Sequence, residues 1–376
     1  MAVTRIDVSI FPTLPVHAGM SMSHYTDELV QGLHGISDVL VRVEWPPFGA
    51  EPSAGWLRSR WVRYVEYVRW CGRLSGYLFH IADHSNAQLL LTLPGSQTVV
   101  TCHDLYPVAV ALGRVRFTGS QGRVAMAASA LRVSLLRKAA AIVAISQHTL
   151  AECRDYLGIK RGRLFVGYHG VAARFLSNNG AGAVESFKAR HRIQPGWLHI
   201  LHVGSNDPRK NLGSVFRVVA ALKQKHKKDV CLVKVGSAFG PRETQAIQTM
   251  GLQEAVRHLG ELSDEEIAHV YRACDVLLYP SFHEGMGRPV AEAMASGTPV
   301  VASNRGAIPE VVQHPNSLFD PEDVDGMANQ ILQITASKDL REELVQHGKL
   351  AAQKFTWEAH AQAVAEAYRS VVRRWV

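Results

Sequence analysis

The sequence predicts an α/β protein made of two doubly wound, parallel-sheet domains. Short β-leaning runs alternate with helical patterns along both halves, with no long meander between them. At 376 residues the chain exceeds the size at which one core keeps growing. A polar, glycine-bearing stretch, Ser177-Asn178-Asn179-Gly180-Ala181-Gly182-Ala183, interrupts the alternation near the middle and reads as a linker. The expected domains are therefore 1–180 and 181–356, followed by a last amphipathic helix over 357–376.

In the first half, residues 7–10, 39–43, 98–101 and 141–144 are apolar and β-branched and read as strands. Helical spacing occupies 23–35, 57–72, 121–139 and 147–157. The second half restarts with a strand at 198–203 and continues through 230–235, 276–279 and 299–302, each followed by a helical pattern. Two such domains facing a central cleft would place ligands at the carboxyl ends of the strands.

Composition narrows the function. Five scattered cysteines without C-x-x-C spacing read as reduced thiols of a cytoplasmic protein. The start of the chain carries charges where a signal peptide needs an apolar run, and no stretch of 18 uncharged apolar residues offers a membrane span. Charge is lopsided: residues 1–190 hold 20 Lys+Arg against 12 Asp+Glu, and the remainder holds 21 against 21. Much of the excess lies in the segment Trp56 to Arg73, where Leu57, Trp61, Tyr64, Val65 and Val68 follow helical spacing among arginines. Two readings stay open for it: a core-packed helix with a solvated basic face, or a peripheral contact with an anionic membrane surface. Nucleic acid is excluded as a partner, because no RNA or DNA module accompanies the charge.

The chemistry concentrates in Ser281-Phe282-His283-Glu284-Gly285-Met286-Gly287-Arg288-Pro289-Val290-Ala291-Glu292. An apolar strand feeds a glycine turn, and Pro289 suits the first position of a helix. Glu284 then sits in the loop and Glu292 on the helix. A helix start attracts phosphate, and Gly285 and Gly287 let a ligand approach the backbone. Carboxylates suit such a site when each accepts from a vicinal diol, one on a sugar and one on a ribose. A second phosphate-binding pattern follows the strand at 198–203: Gly204 opens a turn that carries Arg209 and Lys210 as fixed cations. His103, in Thr101-Cys102-His103-Asp104-Leu105-Tyr106-Pro107, ends another strand, where an imidazole can meet sugar hydroxyls. His80, Asp83 and His84 lack a fourth ligand at matching spacing, so a structural role is expected rather than a metal. G-x-G-x-x-G is absent, which removes the main support for a dinucleotide cofactor.

The Glu-x7-Glu segment, continued by Ala293-Met294-Ala295-Ser296-Gly297-Thr298-Pro299-Val300-Val301, resembles the retaining glycosyltransferases of family 4, which have the GT-B fold of two Rossmann-like domains. The resemblance implies that Glu284 contacts the transferred sugar and Glu292 the nucleotide ribose, with Gly285, Met286 and Gly287 lining the donor. It makes Gly204, Arg209 and Lys210 the diphosphate segment, although many relatives have Arg where this chain has Ser205. His-Asp-Leu followed by Pro is similar to mannosyl- and rhamnosyltransferase-like members and makes His103 a catalytic-centre residue. Relatives carry a glycine pair after the first strand, of which only Gly19 is kept here. The lysine-glycine run at 234–237 and the 258–264 run resemble loops that frame the base, and the last helix is expected to return to the first domain.

The implied activity is retaining, metal-independent transfer of a hexose from a nucleotide diphosphate sugar, without a cofactor. Front-face attack is expected, with a donor phosphate oxygen taking the acceptor proton. GDP-mannose leads as donor, with UDP-glucose, UDP-N-acetylglucosamine and GDP-fucose open. The expected acceptor is a lipid-linked saccharide in surface glycan assembly. Two alternatives remain: a nucleotide-sugar 2-epimerase of the same fold, and a non-catalytic partner subunit that binds a sugar nucleotide.

Overall fold

The structure is a computed structural model that describes residues 5–14, 20–48, 56–115, 123–177 and 181–375. It divides into two units, one running to Gly170 and taking in Thr356–Val376, the other Val171–Phe355. The break thus falls before the 177–183 stretch expected to be the linker, and Ala181–Arg190 is already a helix. The reason is visible where the chain enters and leaves the second unit: Val171 N–H donates to Phe355 O at 2.9 Å, so both crossings lie side by side. Within the first unit, Gly170 lies against the backbone of Trp357, the first residue of the last helix.

The first sheet is parallel throughout, with strands β1 (Ile6–Phe11), β2 (Val39–Val43), β3 (Leu78–Ile81), β4 (Thr98–Cys102), β5 (Ala141–Ala144) and β6 (Leu164–Val166) in the order β2-β1-β3-β4-β5-β6. The inner strands β3, β4 and β5 are buried along their whole length, as a sheet covered on both faces requires. One face packs against Val62, Tyr67, Leu136 and Cys153. The other is covered by Tyr25, Leu29 and Leu33 together with Trp357, Val364 and Tyr368 of the last helix.

That last helix, Trp357–Val372, is capped by Thr356, whose hydroxyl accepts from Ala359 N–H at 3.1 Å. It meets helix Met20–His34 at Gly32, where a Cβ would lie 2.9 Å from the Ala361 Cβ and 3.1 Å from Trp357 O. A directed chain of buried hydrogen bonds fastens it to the sheet. His360 donates from Nδ1 to Gly167 O (2.8 Å) and accepts at Nε2 from Tyr25 (2.9 Å). Tyr25 in turn accepts from Thr101 (2.8 Å), Thr101 from His80 Nε2 (2.9 Å), and His80 Nδ1 from Tyr368 (2.6 Å). Burial pushes His80 down to about 3 and His360 down to about 4, so both imidazoles are neutral and each can accept on one nitrogen. Arg369 clasps Asp38 at 2.7 and 2.8 Å beside this network.

The basic aromatic segment corrects the sequence reading. It is helical over Trp56–Trp61, relaxes into a π-turn over Val62–Glu66 and resumes over Tyr67–Cys71. The π-turn rotates the buried stripe to Val62, Tyr67, Val68 and Cys71. Leu57 and Trp61, expected on the apolar face, are 74% and 53% exposed. Arg63 is half-buried and donates to Ser85 O (2.8 Å) and Asn86 Oδ1 (3.2 Å).

The second sheet is again parallel: β7 (Leu198–Val203), β8 (Val230–Val235), β9 (Val256–Gly260), β10 (Val276–Tyr279), β11 (Val300–Ser303) and β12 (Leu318–Phe319), in the order β12-β11-β10-β7-β8-β9. Helix Leu212–Ala220 buries Val215, Phe216 and Val219 against Ile200, Leu232 and Leu278. All five cysteines are free thiols. Among the described residues no helix is long and apolar enough to cross a membrane.

Candidate active site

In the second unit, the carboxyl ends of β7 and β10 carry the predicted charges. β7 turns at Gly204, and Asp207 caps the short turn Pro208–Lys210 by accepting from Arg209 N–H at 2.9 Å. Asn211 starts helix Leu212–Ala220 and donates from its amide to Pro280 O (3.0 Å) and Pro321 O (2.8 Å). Phe282 N–H donates to Arg209 O at 2.7 Å. These bonds hold the Arg209-Lys210 turn against the loop that follows β10.

Lys210 and the buried Glu284 meet as a part-buried ion pair, Nζ to Oε1 at 2.7 Å. Tyr279, the last residue of β10, joins them: its hydroxyl accepts from Lys210 at 2.6 Å and donates to Glu284 Oε1 at 3.0 Å. The Lys210 ammonium also stands 5.0 Å from the centre of the Tyr279 ring. Burial opposes a charge on Glu284, but Lys210 and Arg209 outweigh it and hold the carboxyl below its usual range. The pair leaves one Lys210 N–H for a further acceptor. Arg209 is partly exposed, with its Nε 3.5 Å from Asp207 Oδ2.

Glu284 is fixed from behind by a glycine the sequence reading passed over. Gly306 has φ +60°, and a Cβ there would lie 2.7 Å from Glu284 O and 2.8 Å from its N. Glu284 O accepts from Ala307 N–H at 3.1 Å across the same contact. Met286, expected to line the donor, is 2% exposed and packs into the core. Gly285 is buried and Gly287 forms the turn before helix Arg288–Ala295. Glu292 projects from that helix, accepts from the Tyr271 hydroxyl at 2.8 Å and lies 3.6 Å from Arg288.

Beneath Gly204 lies Lys234, fully buried in β8. Its ammonium donates to Gly204 O (2.6 Å), Val235 O (3.0 Å) and Ser237 O (3.4 Å). Burial pushes it down to about 8, with Lys210 adding to the effect. The neighbouring loops are joined through the backbone: Gly236 N–H donates to Gly260 O (2.8 Å), and His258 Nε2 donates to Gly236 O (2.8 Å). A lysine inside an otherwise apolar strand was the available signal for Lys234. A phenol ending the apolar run Val276–Tyr279 was the signal for Tyr279.

The first unit holds the other predicted residue. His103 follows β4 and is 7% exposed; Nε2 donates to Ala82 O at 2.9 Å, and its backbone N–H donates to His84 Nδ1 at 3.2 Å. Nδ1 has no hydrogen-bond partner among the described residues. Burial holds this imidazole below its usual range, partly offset by Asp83, so His103 is a neutral acceptor rather than a cation. Tyr25 stands edge-on to it at 4.8 Å. Asp104 accepts from Tyr106 N–H at 3.1 Å. Asp83 caps the turn starting at His84, and His80 uses both nitrogens in the chain described above, which gives these residues structural work. Gly19 lies outside the described residues.

Known proteins resemble this chain in sequence and in fold. Residues 22–175 match the family model described as Glycosyltransferase Family 4, and residues 184–351 that of Glycosyl transferases group 1. The O-antigen chain mannosyltransferase B of Escherichia coli is 31% identical over 188 residues, covering 49% of this chain and 49% of the relative. The serotype-specific mannosyltransferase WbdA of Escherichia coli is 26% identical over 282 residues, covering 74% of this chain and 34% of the relative. An MMP alpha-(1->4)-mannosyltransferase of Mycolicibacterium hassiacum is 33% identical over 180 residues, 46% of this chain and 44% of the relative. The matches thus span half or less of these relatives' length. Among solved structures, sucrose-phosphate synthase from Thermosynechococcus elongatus superposes with TM-score 0.78 at 21% identity, covering 98% of this chain and 100% of that one. WaaG, a glycosyltransferase involved in lipopolysaccharide biosynthesis, superposes at 0.72 with 14% identity, covering 96% and 98%.

The two sheets and these superpositions define a GT-B protein. The chain belongs to the family-4 glycosyltransferases, and among them it resembles the mannosyltransferases.

Proposed function

We propose that this protein transfers a hexose, with mannose from GDP-mannose as the first choice, from a nucleotide diphosphate sugar to an acceptor hydroxyl with retention at the anomeric carbon. The observation that carries this reading is the largely buried Lys210–Glu284–Tyr279 cluster at the carboxyl ends of β7 and β10, with Glu292 on the helix that follows. Glu284 is an ionised acceptor for sugar hydroxyls, oriented by Lys210 and Tyr279. Lys210 retains an N–H for a diphosphate oxygen, and Arg209 supplies the second cation, so the leaving group is neutralised by side chains instead of a metal. Glu284 is held by two partners and serves to orient the sugar; attack on the donor's front face, with a phosphate oxygen taking the acceptor proton, needs no protein nucleophile. In the first unit, the neutral His103 offers Nδ1 as an acceptor for a sugar hydroxyl.

Mannose is favoured by the names of the matched relatives. A lipid-linked saccharide at an anionic membrane surface is the acceptor that fits the first unit, where Leu57 and Trp61 stand exposed beside Arg58, Arg60 and Arg69. The test is product analysis of the purified protein with GDP-mannose, UDP-glucose, UDP-N-acetylglucosamine and GDP-fucose in the presence of oligosaccharide and lipid-linked acceptors. A glycosylated acceptor supports transfer. An epimerised sugar without transfer, or tight binding without turnover, overturns it.

A further inference from the structure

The second unit contains a cavity of about 340 Å³ at the opposite end of its sheet from Gly204 and Glu284. Trp197 precedes β7, His199 is the second residue of that strand, and Asp275 precedes β10; all three line the cavity. The six residues of β7 separate them from Gly204 by about 20 Å. The cavity therefore lies apart from the candidate active site, in the volume range of small-molecule sites.

Its lining is built for hydrogen bonding. His199 is 6% exposed, its Nδ1 lies 3.7 Å from Asp275 Oδ2, and its Nε2 has no hydrogen-bond partner among the described residues. Nδ1 lies nearest Asp275, and Nε2 is a buried ring nitrogen without a partner that accepts or donates according to the tautomer. Asp275 Oδ2 also accepts from His199 N–H at 2.8 Å, which fixes the carboxylate in place. Burial opposes its charge, yet these bonds and Arg341 keep it below the usual carboxylate range. Glu185 and Lys188 close the rim as an ion pair at 2.9 Å. Half-buried Trp197 supplies an aromatic wall.

Two carboxylates against one ammonium that is already paired repel an anion, so phosphate and nucleotides fit poorly. Polar acceptors on one side and an indole on the other suit a neutral ligand with many hydroxyls and one apolar face. We propose that this cavity is a second saccharide-binding site, which takes a pyranose unit with its C–H face on Trp197 and its hydroxyls on His199 and Asp275. Such a site would retain a glycan chain on the protein at a distance from the residues that handle the donor. It uses none of the residues of the transfer reading, so the two stand or fall separately.

Ligand-observed NMR and calorimetry with α-linked mannotriose, maltotriose and inorganic phosphate test it. One of the trisaccharides is expected to bind the parent and Glu292→Ala alike, while Trp197→Ala weakens it about tenfold or more. Ala189→Phe fills the cavity from an exposed position of its lining and is expected to do the same without disturbing the strand. GDP binding should be unchanged in both cavity variants. Absence of trisaccharide binding to the parent, binding that survives Ala189→Phe or a folded Trp197→Ala, or a preference for phosphate overturns the proposal.

Discussion

At the scale of single residues, the Lys210–Glu284 pair sets what substitution can do. Glu284 is buried and Lys210 largely so, and removing one charge leaves the other unpaired in a partly desolvated site. Glu284→Gln keeps the shape and a hydrogen-bond acceptor while removing the charge. It is expected to lower turnover by about a hundredfold or more while leaving GDP affinity within a few-fold of the parent, as steady-state rates and calorimetry would show. An equal loss in both would place Glu284 on the nucleotide rather than the sugar. Arg209→Ala is expected to cost about 2–4 kcal/mol of transition-state stabilisation, with parent activity undiminished by excess chelator. Chelator-sensitive transfer restored by Mg²⁺ or Mn²⁺ would contradict neutralisation by side chains. The charged residues of this site were legible because glycine turns and cations flag phosphate chemistry in any sequence. Gly306 was not, because its role arises from contact with a loop distant in the chain; Tyr279 and Lys234 offered only a polar group in an apolar strand as a signal.

At the scale of elements, the last helix shows how one turn of packing can depend on a missing side chain. Gly32 lets helix Met20–His34 approach Trp357–Val372 to within a Cβ contact. Gly32→Val should overpack this crossing and lower stability by about 1–3 kcal/mol, measured by chemical denaturation. A neutral result would mean the helices separate without cost. Most helices and inner strands announced themselves by periodicity and apolar runs, but the inner strand β3 and the edge strand β9 were not among the expected strands. Short strands did not: β6 has three residues and β12 two, too few for any pattern to register. The segment 56–71 was misread for a different reason. Its apolar residues do follow helical spacing, but a π-turn at Val62–Glu66 changes the register, and only the packing partners decide which face is buried.

Across the whole molecule, buried neutral histidines predict the response to acid. His80, His202 and His360 are pushed down to about 3, 3 and 4 by burial, against an unfolded value of 6.5. A depressed imidazole contributes its full stability above pH 6.5 and loses it as pH falls toward the folded value, because the unfolded chain takes up protons first. Each should therefore remove about 1.4 kcal/mol per pH unit between pH 6 and 4, and melting curves over that range check it. Flat melting temperatures from pH 7 to 4.5 would refute the assignment. Net charge gives a second expectation at this scale: liposome flotation should show binding that grows with anionic lipid and falls with salt, at about 1 kcal/mol per basic residue near the surface. Leu57→Ser with Trp61→Ser should abolish it and spare nucleotide binding. If the parent ignores anionic liposomes at low salt, a soluble acceptor becomes the better reading. The central claim, that the second unit holds a sugar nucleotide through its two glutamates, is met most directly by calorimetry of GDP and UDP with the parent and with Glu292→Ala in chelator. The account predicts that the parent binds at least one nucleotide without metal and that Glu292→Ala binds it at least about tenfold more weakly. Equal affinity in the two proteins would contradict it.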